Sequence, residues 1–205
     1  MAQALTILQV TSSENRSGGT RQAMLLSRGL REAGQRVVFC APAGSPALAW
    51  AQAEGFEARV TLTGGLKAQW RVSRILREVA RQVDADVVHA HHTEGHNVAV
   101  LATFGGGFPP VVANRGVIFR PKFPAKFRSP RTAAIVTNSA AVKKVLEQSG
   151  VSGEKIHVVY NAKELPDRER LAALRGSLVA ELGAGAGGPV IGAVGSGRPE
   201  KGFQF

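Results

Sequence analysis

Seven short apolar runs, separated by helical stripes and turn-rich loops, constrain this chain more than any other feature. They are Leu5–Val10, Val37–Ala41, Phe56–Val60, Asp86–His89 (through Val87 and Val88), Val111–Ala113, Ile135–Thr137 and Ile156–Val159. They lack the polar–apolar alternation of a half-solvated strand, so they predict strands buried on both faces. Residues 20–33 carry an apolar stripe through Ala23, Leu26, Leu30 and Ala33, with Gly34 as the stop. Trp70, Ser73, Leu76 and Val83, with Ile75 and Val79, mark a long amphipathic helix. His96–Phe104 predicts another, ended by Gly105–Gly107 and Pro109–Pro110, and Ser139 is placed to cap a helix over 140–149. Strands and helices alternating in this way predict an α/β fold, a Rossmann-like doubly wound parallel sheet.

The pattern changes near residue 163. Residues 1–163 form the predicted Rossmann-like domain. Residues 164–189 hold Pro166, a charged helical stretch (167–182) and the run GAGAGGP, which reads as a connector. Val190–Val194 begins another strand, followed by GSGRPEKG. One strand and a turn cannot bury their own apolar face. Residues 190–205 therefore read as the truncated start of a second domain, rather than as an edge strand of the first. Exposed apolar surface at Val190–Val194 would favour self-association.

Charge is unevenly distributed. The net charge is +11, yet the 52 residues between Glu94 and Glu147 contain no acid and eight cations, namely Arg115, Arg120, Lys122, Lys126, Arg128, Arg131, Lys143 and Lys144. Without them the excess is +3. A local excess of this kind points to an anionic partner. No apolar run approaches the ~18–20 residues of a membrane span, and residues 1–10 have no signal-peptide pattern. The lone Cys40 excludes an internal disulfide and a multi-cysteine metal site. These features predict a cytoplasmic protein.

Three motifs could carry chemistry. Ser17-Gly18-Gly19-Thr20 opens a helix directly after the first strand, where free N–H groups and two glycines favour an anion. Asp86-Val-Val-His89-Ala-His91-His92 ends a strand, at the edge where open α/β sheets bind ligands. Period two puts His89 and His91 on one face, with His96 a few residues on. No cysteine or H-E-x-x-H pattern supports a metal there, and none is predicted. Gly195-Ser-Gly-Arg198-Pro-Glu-Lys201-Gly202 joins flexible backbone to two cations suited to a diphosphate, although it is not a P-loop.

Taken in order, these motifs resemble the retaining glycosyltransferases of family 4, which have the GT-B fold. The resemblance rests on the SGG loop with LLSRGLREAGQRVVFCAP, on DVVHAHH, on TNSAAVKKVLEQSGVSGEKIHVVYNA, and on LRGSLVAELG and VGSGRPEKGFQF. It implies the N-terminal, acceptor-side half of two facing domains, and a nucleotide-sugar donor that is a substrate rather than a cofactor. By the same resemblance Gly18, Gly19, Arg198 and Lys201 would hold the donor diphosphate, and His91 would be the catalytic candidate. His92, Arg115 and Ser139 would lie toward the acceptor, and so would Lys122 and Lys126 of the basic, acid-free stretch. Three departures stand out. Ser196 occupies the position of the family's usual Arg, Asn114-Arg115 stands where a His is common, and the paired glutamates seven residues apart are absent. The 205-residue chain is accordingly expected not to catalyse transfer.

The segment Phe119-Arg-Pro-Lys-Phe123-Pro-Ala-Lys-Phe127-Arg spaces three rings at i, i+4 and i+8, as an interfacial helix would, although Pro121 and Pro124 oppose a regular helix. It suggests peripheral contact with an anionic membrane at its inner face, or with a lipid-linked or glycan acceptor. Two other readings stay open: a UDP-sugar epimerase of GT-B build, and a basic phosphate- or nucleic-acid-binding module. Against nucleic acid stand a single Tyr and no recognition-helix or RNP-like motif.

Overall fold

The computed structural model describes residues 3–12, 17–61, 66–181 and 192–193. It divides into two compact units, Met1–Ala162 and Lys163–Phe205. In the first, the element order is β1 (Thr6–Val10), α1 (Gly18–Glu32), β2 (Arg36–Pro42), α2 (Pro46–Ala53), β3 (Glu57–Thr61), α3 (Leu66–Gln82) and β4 (Val87–Ala90). There follow α4 (His92–Ala102), β5 (Val111–Arg115), α5 (Ala125–Arg128), β6 (Thr132–Thr137), α6 (Ala140–Glu147) and β7 (Ile156–Val158). The seven strands pair in the order β3-β2-β1-β4-β5-β6-β7, every pairing parallel. This is the predicted Rossmann-like sheet.

Alternate strand residues feed separate cores. Leu8, Val10, Val88, Ala90 and Val111 pack against Leu76, Val79, Val98 and Ala99 of α3 and α4. Val37, Phe39 and Ala41 meet Ala23 and Met24 of α1 and Leu48 of α2. A third cluster joins Ala113, Ile135 and Ile156 to Phe127 of α5 and Leu146 of α6. The helix starts follow ordinary capping chemistry. Ser17, Ser45 and Ser139 each accept a hydrogen bond from a backbone N–H three residues on, as expected for Ser139. The α2 helix was not foreseen. It is only eight residues long, and its signal is Ser45 followed by Pro46 in the first turn.

Two expectations need correction. The fourth helix begins at His92 rather than His96, so His96 sits inside it and faces the core. The three phenylalanines share no helix face. Only Ala125–Arg128 is helical, Phe127 is 3% exposed, and Phe119 and Phe123 are 67% and 78% exposed. The prolines account for this, since Pro121 and Pro124 cannot donate the backbone bonds a longer helix needs.

In the second unit α7 spans Arg168–Glu181, and Asp167 Oδ1 accepts from the Glu169 N–H at its start. Leu171 and Leu174 are exposed. The predicted strand Val190–Val194 and the Arg198–Lys201 turn lie outside the described residues, Gly192 and Ala193 excepted.

Candidate functional site

The strand order reverses direction between β1 and β4, which opens a crevice beyond their carboxyl ends. Two of the sequence motifs meet there. The α1 helix starts at Gly18, its first turn has no acid, and Ser17 caps the Thr20 N–H at 3.2 Å. No hydrogen bond uses the N–H groups of Gly18 and Gly19 among the described residues. Such a helix start presents donors and a partial positive charge.

Across the crevice β4 gives way to α4 at His91 and His92. His92 takes φ +63°, the left-handed region that L residues seldom occupy. The turn sends its ring back to β1, where Nδ1 lies 3.1 Å from Thr11 Oγ1. The ring also lies on α1, because a Cβ added to Gly19 would sit 2.6 Å from His92 Nε2. Gly95 is constrained in the same way, its added Cβ lying 3.2 Å from the Val10 carbonyl oxygen. Gly19 and Gly95 thus have a packing reason to be glycine, whereas Gly18 faces open space. Burial holds the His92 pKa below its ordinary value.

His91 is 3% exposed and anchored twice to β1. Its N–H donates to the Val10 carbonyl at 2.7 Å, and its Nε2 lies 2.6 Å from Gln9 Oε1. His89 pairs in register with Gln9 and places its ring 4.5 Å from that of His91. Burial, then the neighbouring His89 and His92, keep the His91 pKa well below the usual imidazole range, and burial lowers His89 to about 4. At neutral pH both rings are uncharged; His91 is hydrogen-bonded, whereas His89 Nε2 is buried without a partner. Gln9 was missed in the sequence, although it is the lone polar residue in the buried run ILQV.

Arg115 and Lys126 converge on Phe127, each 5.3 Å from the ring centroid. Arg115 donates from Nη2 to the Phe119 carbonyl. Lys126 donates to the Thr93 carbonyl at 3.0 Å and to Asn97 Oδ1 at 2.6 Å. His96 joins them, 4.8 Å from the Phe127 ring and 2.8 Å from Thr132 Oγ1. Lys122 is exposed and makes no such contact. Ser139 caps α6 and does not enter this cluster, while the adjacent Asn138 donates to the Gly116 carbonyl at 3.3 Å. The acid-free stretch is therefore not one solvated patch. Lys143 also turns inward, onto the Gly153 and Ile156 carbonyls. Among the described residues no group of three or more His, Cys, Asp or Glu side chains is arranged to hold a metal.

The family model for Glycosyltransferase Family 4 matches residues 16–164. The chain belongs to glycosyltransferase family 4. A search of curated proteins returns no match. Solved structures agree with the family 4 fold. A glycosyltransferase from Rickettsia africae ESF-5 superposes with a TM-score of 0.74 at 17% identity, over 92% of this chain and 52% of that one. Anabaena Alr3699/HepE, crystallised with UDP and glucose, gives 0.68 at 18% identity, over 85% and 50%. A UDP-N-acetylglucosamine 2-epimerase from Listeria monocytogenes, so named putatively, gives 0.57 at 16% identity, over 84% and 52%. This family 4 chain spans about half the length of each, and its sheet is the N-terminal half of the GT-B fold.

Proposed function

We propose that the chain is the acceptor-side half of a retaining glycosyltransferase that moves a sugar from a nucleotide-sugar donor to a cell-surface glycan or lipid-linked acceptor. The observation that carries this reading is the contact of Gly19 with His92 at the sheet's switch point, with Gly18 open beside it at the helix start. Donors fixed at a helix start stabilise charge on a diphosphate without reorganising. Arg198 and Lys201, cations suited to the same diphosphate, lie outside the described residues. His91, neutral and oriented by Gln9, is suited to hydrogen bonding a sugar hydroxyl and not to acting as a cation. Alone, the 205-residue chain is proposed to be inactive, because it spans about half the length of the solved structures that share its fold.

The test is to incubate the product of the complete reading frame with UDP-, GDP- and ADP-sugars and a panel of acceptors. Acceptor-dependent release of nucleoside diphosphate, with retained anomeric configuration, is the expected result. Conversion of a UDP-sugar to its epimer without any acceptor would move the assignment to the epimerase reading, which the Listeria neighbour supports at the level of fold.

Peripheral membrane contact is a second part of the proposal. Val117, Ile118, Phe119 and Phe123 are exposed beside the exposed Arg120 and Lys122. Apolar side chains flanked by cations suit an anionic interface. Among the described residues no helix is long and apolar enough to cross a membrane. Co-sedimentation with vesicles should require anionic lipid and weaken with salt.

A further inference from the structure

Arg115 is 9% exposed, and its Nε is buried without a hydrogen-bond partner. His96 Nδ1, in a ring 4.8 Å from that of Phe127, is likewise buried and unpartnered. Lys126 lies between Arg115 and α4, donating into the first turn of that helix at Thr93. Three circumstances disfavour its charge. The ammonium is partly buried, a guanidinium is its neighbour, and it sits at the positive end of a helix dipole. Burial and then Arg115 bring the Lys126 pKa down to about 8, and burial lowers that of Arg115 as well.

Among the described residues no carboxylate pairs with either cation. Glu94, the acid in the first turn of α4, is exposed and makes no ion pair with Lys126. The Phe127 ring offsets part of this imbalance, since the face of an aromatic ring attracts a cation. Two adjacent cations nonetheless share that ring with no anion. Buried charge that lacks a partner calls for an explanation, because removing an ion from water is costly unless it is paired.

We infer that Arg115, at the carboxyl end of β5, and Lys126, on α5 with its ammonium at the start of α4, form a subsite for an oxyanion, a phosphate or a carboxylate. This deepens the glycosyltransferase reading and rests on it for the identity of the ligand: the oxyanion belongs to the acceptor. The remaining guanidinium N–H groups and the third ammonium N–H are the donors. A planar guanidinium beside a point-charge ammonium suits a tetrahedral or a planar anion. An acceptor bearing phosphate or a uronic carboxylate would thereby be distinguished from a neutral sugar.

The test uses the 205-residue chain with 13C-labelled lysine, following the Lys126 side-chain resonance against pH. The probes are methyl phosphate, glucuronate, UDP and neutral methyl glucoside. With methyl phosphate or glucuronate the midpoint should rise from about 8 by about one unit or more, as an opposite charge within a few ångströms requires. Methyl glucoside should leave it in place. Arg115→Gln should weaken binding at least about tenfold, and Lys144→Gln, at an exposed cation of α6, should not change it. If Arg115→Gln fails to fold, Lys126→Gln and Lys126→Arg replace it, the first losing binding and the second keeping it. An unmoved midpoint with both anions, or equal affinity in wild type and the Arg115 or Lys126→Gln variants, would overturn the inference. A response to UDP alone would also overturn it, since the site would then serve the donor. None of these outcomes depends on transfer activity, so failure of the subsite and failure of the enzyme reading are separable.

Discussion

Gln9 Oε1 and His91 Nε2 lie 2.6 Å apart although the residues are 82 positions apart in the chain, which ties the middle of β1 to the first residue beyond β4. With the carbonyl oxygen as acceptor, the imidazole carries its proton on Nε2 and presents Nδ1 as the lone-pair nitrogen. Gln9→Leu should release that preference. Long-range 1H–15N spectra of the His91 ring should change from one tautomer to a mixture, and urea denaturation should show a loss of about 1–3 kcal/mol. Gln9→Glu should restore the tautomer and raise the His91 pKa. An unchanged ring spectrum in Gln9→Leu would remove Gln9 as a positioning residue.

Acid should destabilise the first unit through its histidines. An unfolded imidazole titrates near 6.5, whereas burial holds His89 at about 4 and His96 at about 3, with His91 also well below normal. Below pH ~6.5 the unfolded chain binds more protons than the folded one, so stability falls as pH falls. The loss continues to about 4 for His89 and to about 3 for His96. Each ring contributes about 1.4 kcal/mol per pH unit within its window. Urea midpoints at pH 7, 6, 5 and 4 measure this slope, which should flatten above pH 7.

Gly18 and Gly19 should respond oppositely to alanine. Gly18→Ala meets open space and gains helix propensity, so stability should hold or rise by up to about 1 kcal/mol. Gly19→Ala puts a methyl group 2.6 Å from His92 Nε2 and must displace that ring. Loss of the Thr11–His92 contact, seen as a shift of the His92 resonances, should accompany a lower melting temperature.

Arg77 organises the loop after α4. Its Nη1 donates to the Ala102 and Phe104 carbonyls at 2.7 and 2.8 Å, and its Nη2 to Gly106 at 2.7 Å. Gly105, Gly106 and Gly107 beside it all have positive φ, a backbone that other residues adopt with strain. Arg77→Ala removes three hydrogen bonds, two of them exposed, and should cost about 1–2 kcal/mol. Hydrogen exchange should accelerate across residues 103–107 more than in β5.

Phe127 and Phe123 separate packing from surface roles. Phe127→Ala empties a buried site among Ala113, Ile135 and Leu146 and should cost about 3–5 kcal/mol. Phe123→Ala should change stability by no more than ~0.5 kcal/mol and should instead weaken vesicle binding. Equal loss of vesicle binding in Lys144→Gln would argue for diffuse charge rather than the 117–123 loop.

The sheet was legible because buried parallel strands leave unbroken apolar runs, and all seven runs became strands within one or two residues at most ends. Helix starts were less so. The fourth begins on His92, whose positive φ no propensity foretells, and α2 is too short for a periodic signal. At the crevice the glycines and histidines could be read as a set, since each stands at a strand's end. Gln9, Asn97 and the contact of Gly19 with His92 could not, because they depend on which strands become neighbours. The phenylalanine spacing misled for a related reason: a helical period means little where prolines forbid the helix.

The pairing of β1 with β4 also fixes when the crevice can exist. β1, β2 and β3 can assemble on α1 and α2 as soon as they leave the ribosome, but the other edge of β1 must wait for a strand 80 residues downstream, where the Thr6 N–H meets Asp86 Oδ2 at 2.7 Å. At ordinary synthesis rates that is a delay of roughly 4–16 s. Gln9 spends that interval on an open strand edge, and His91 closes it. The crevice thus lies on the seam between strands β1–β3, synthesised first, and strands β4–β7, synthesised later, and substitutions there should slow folding even where they spare the finished structure.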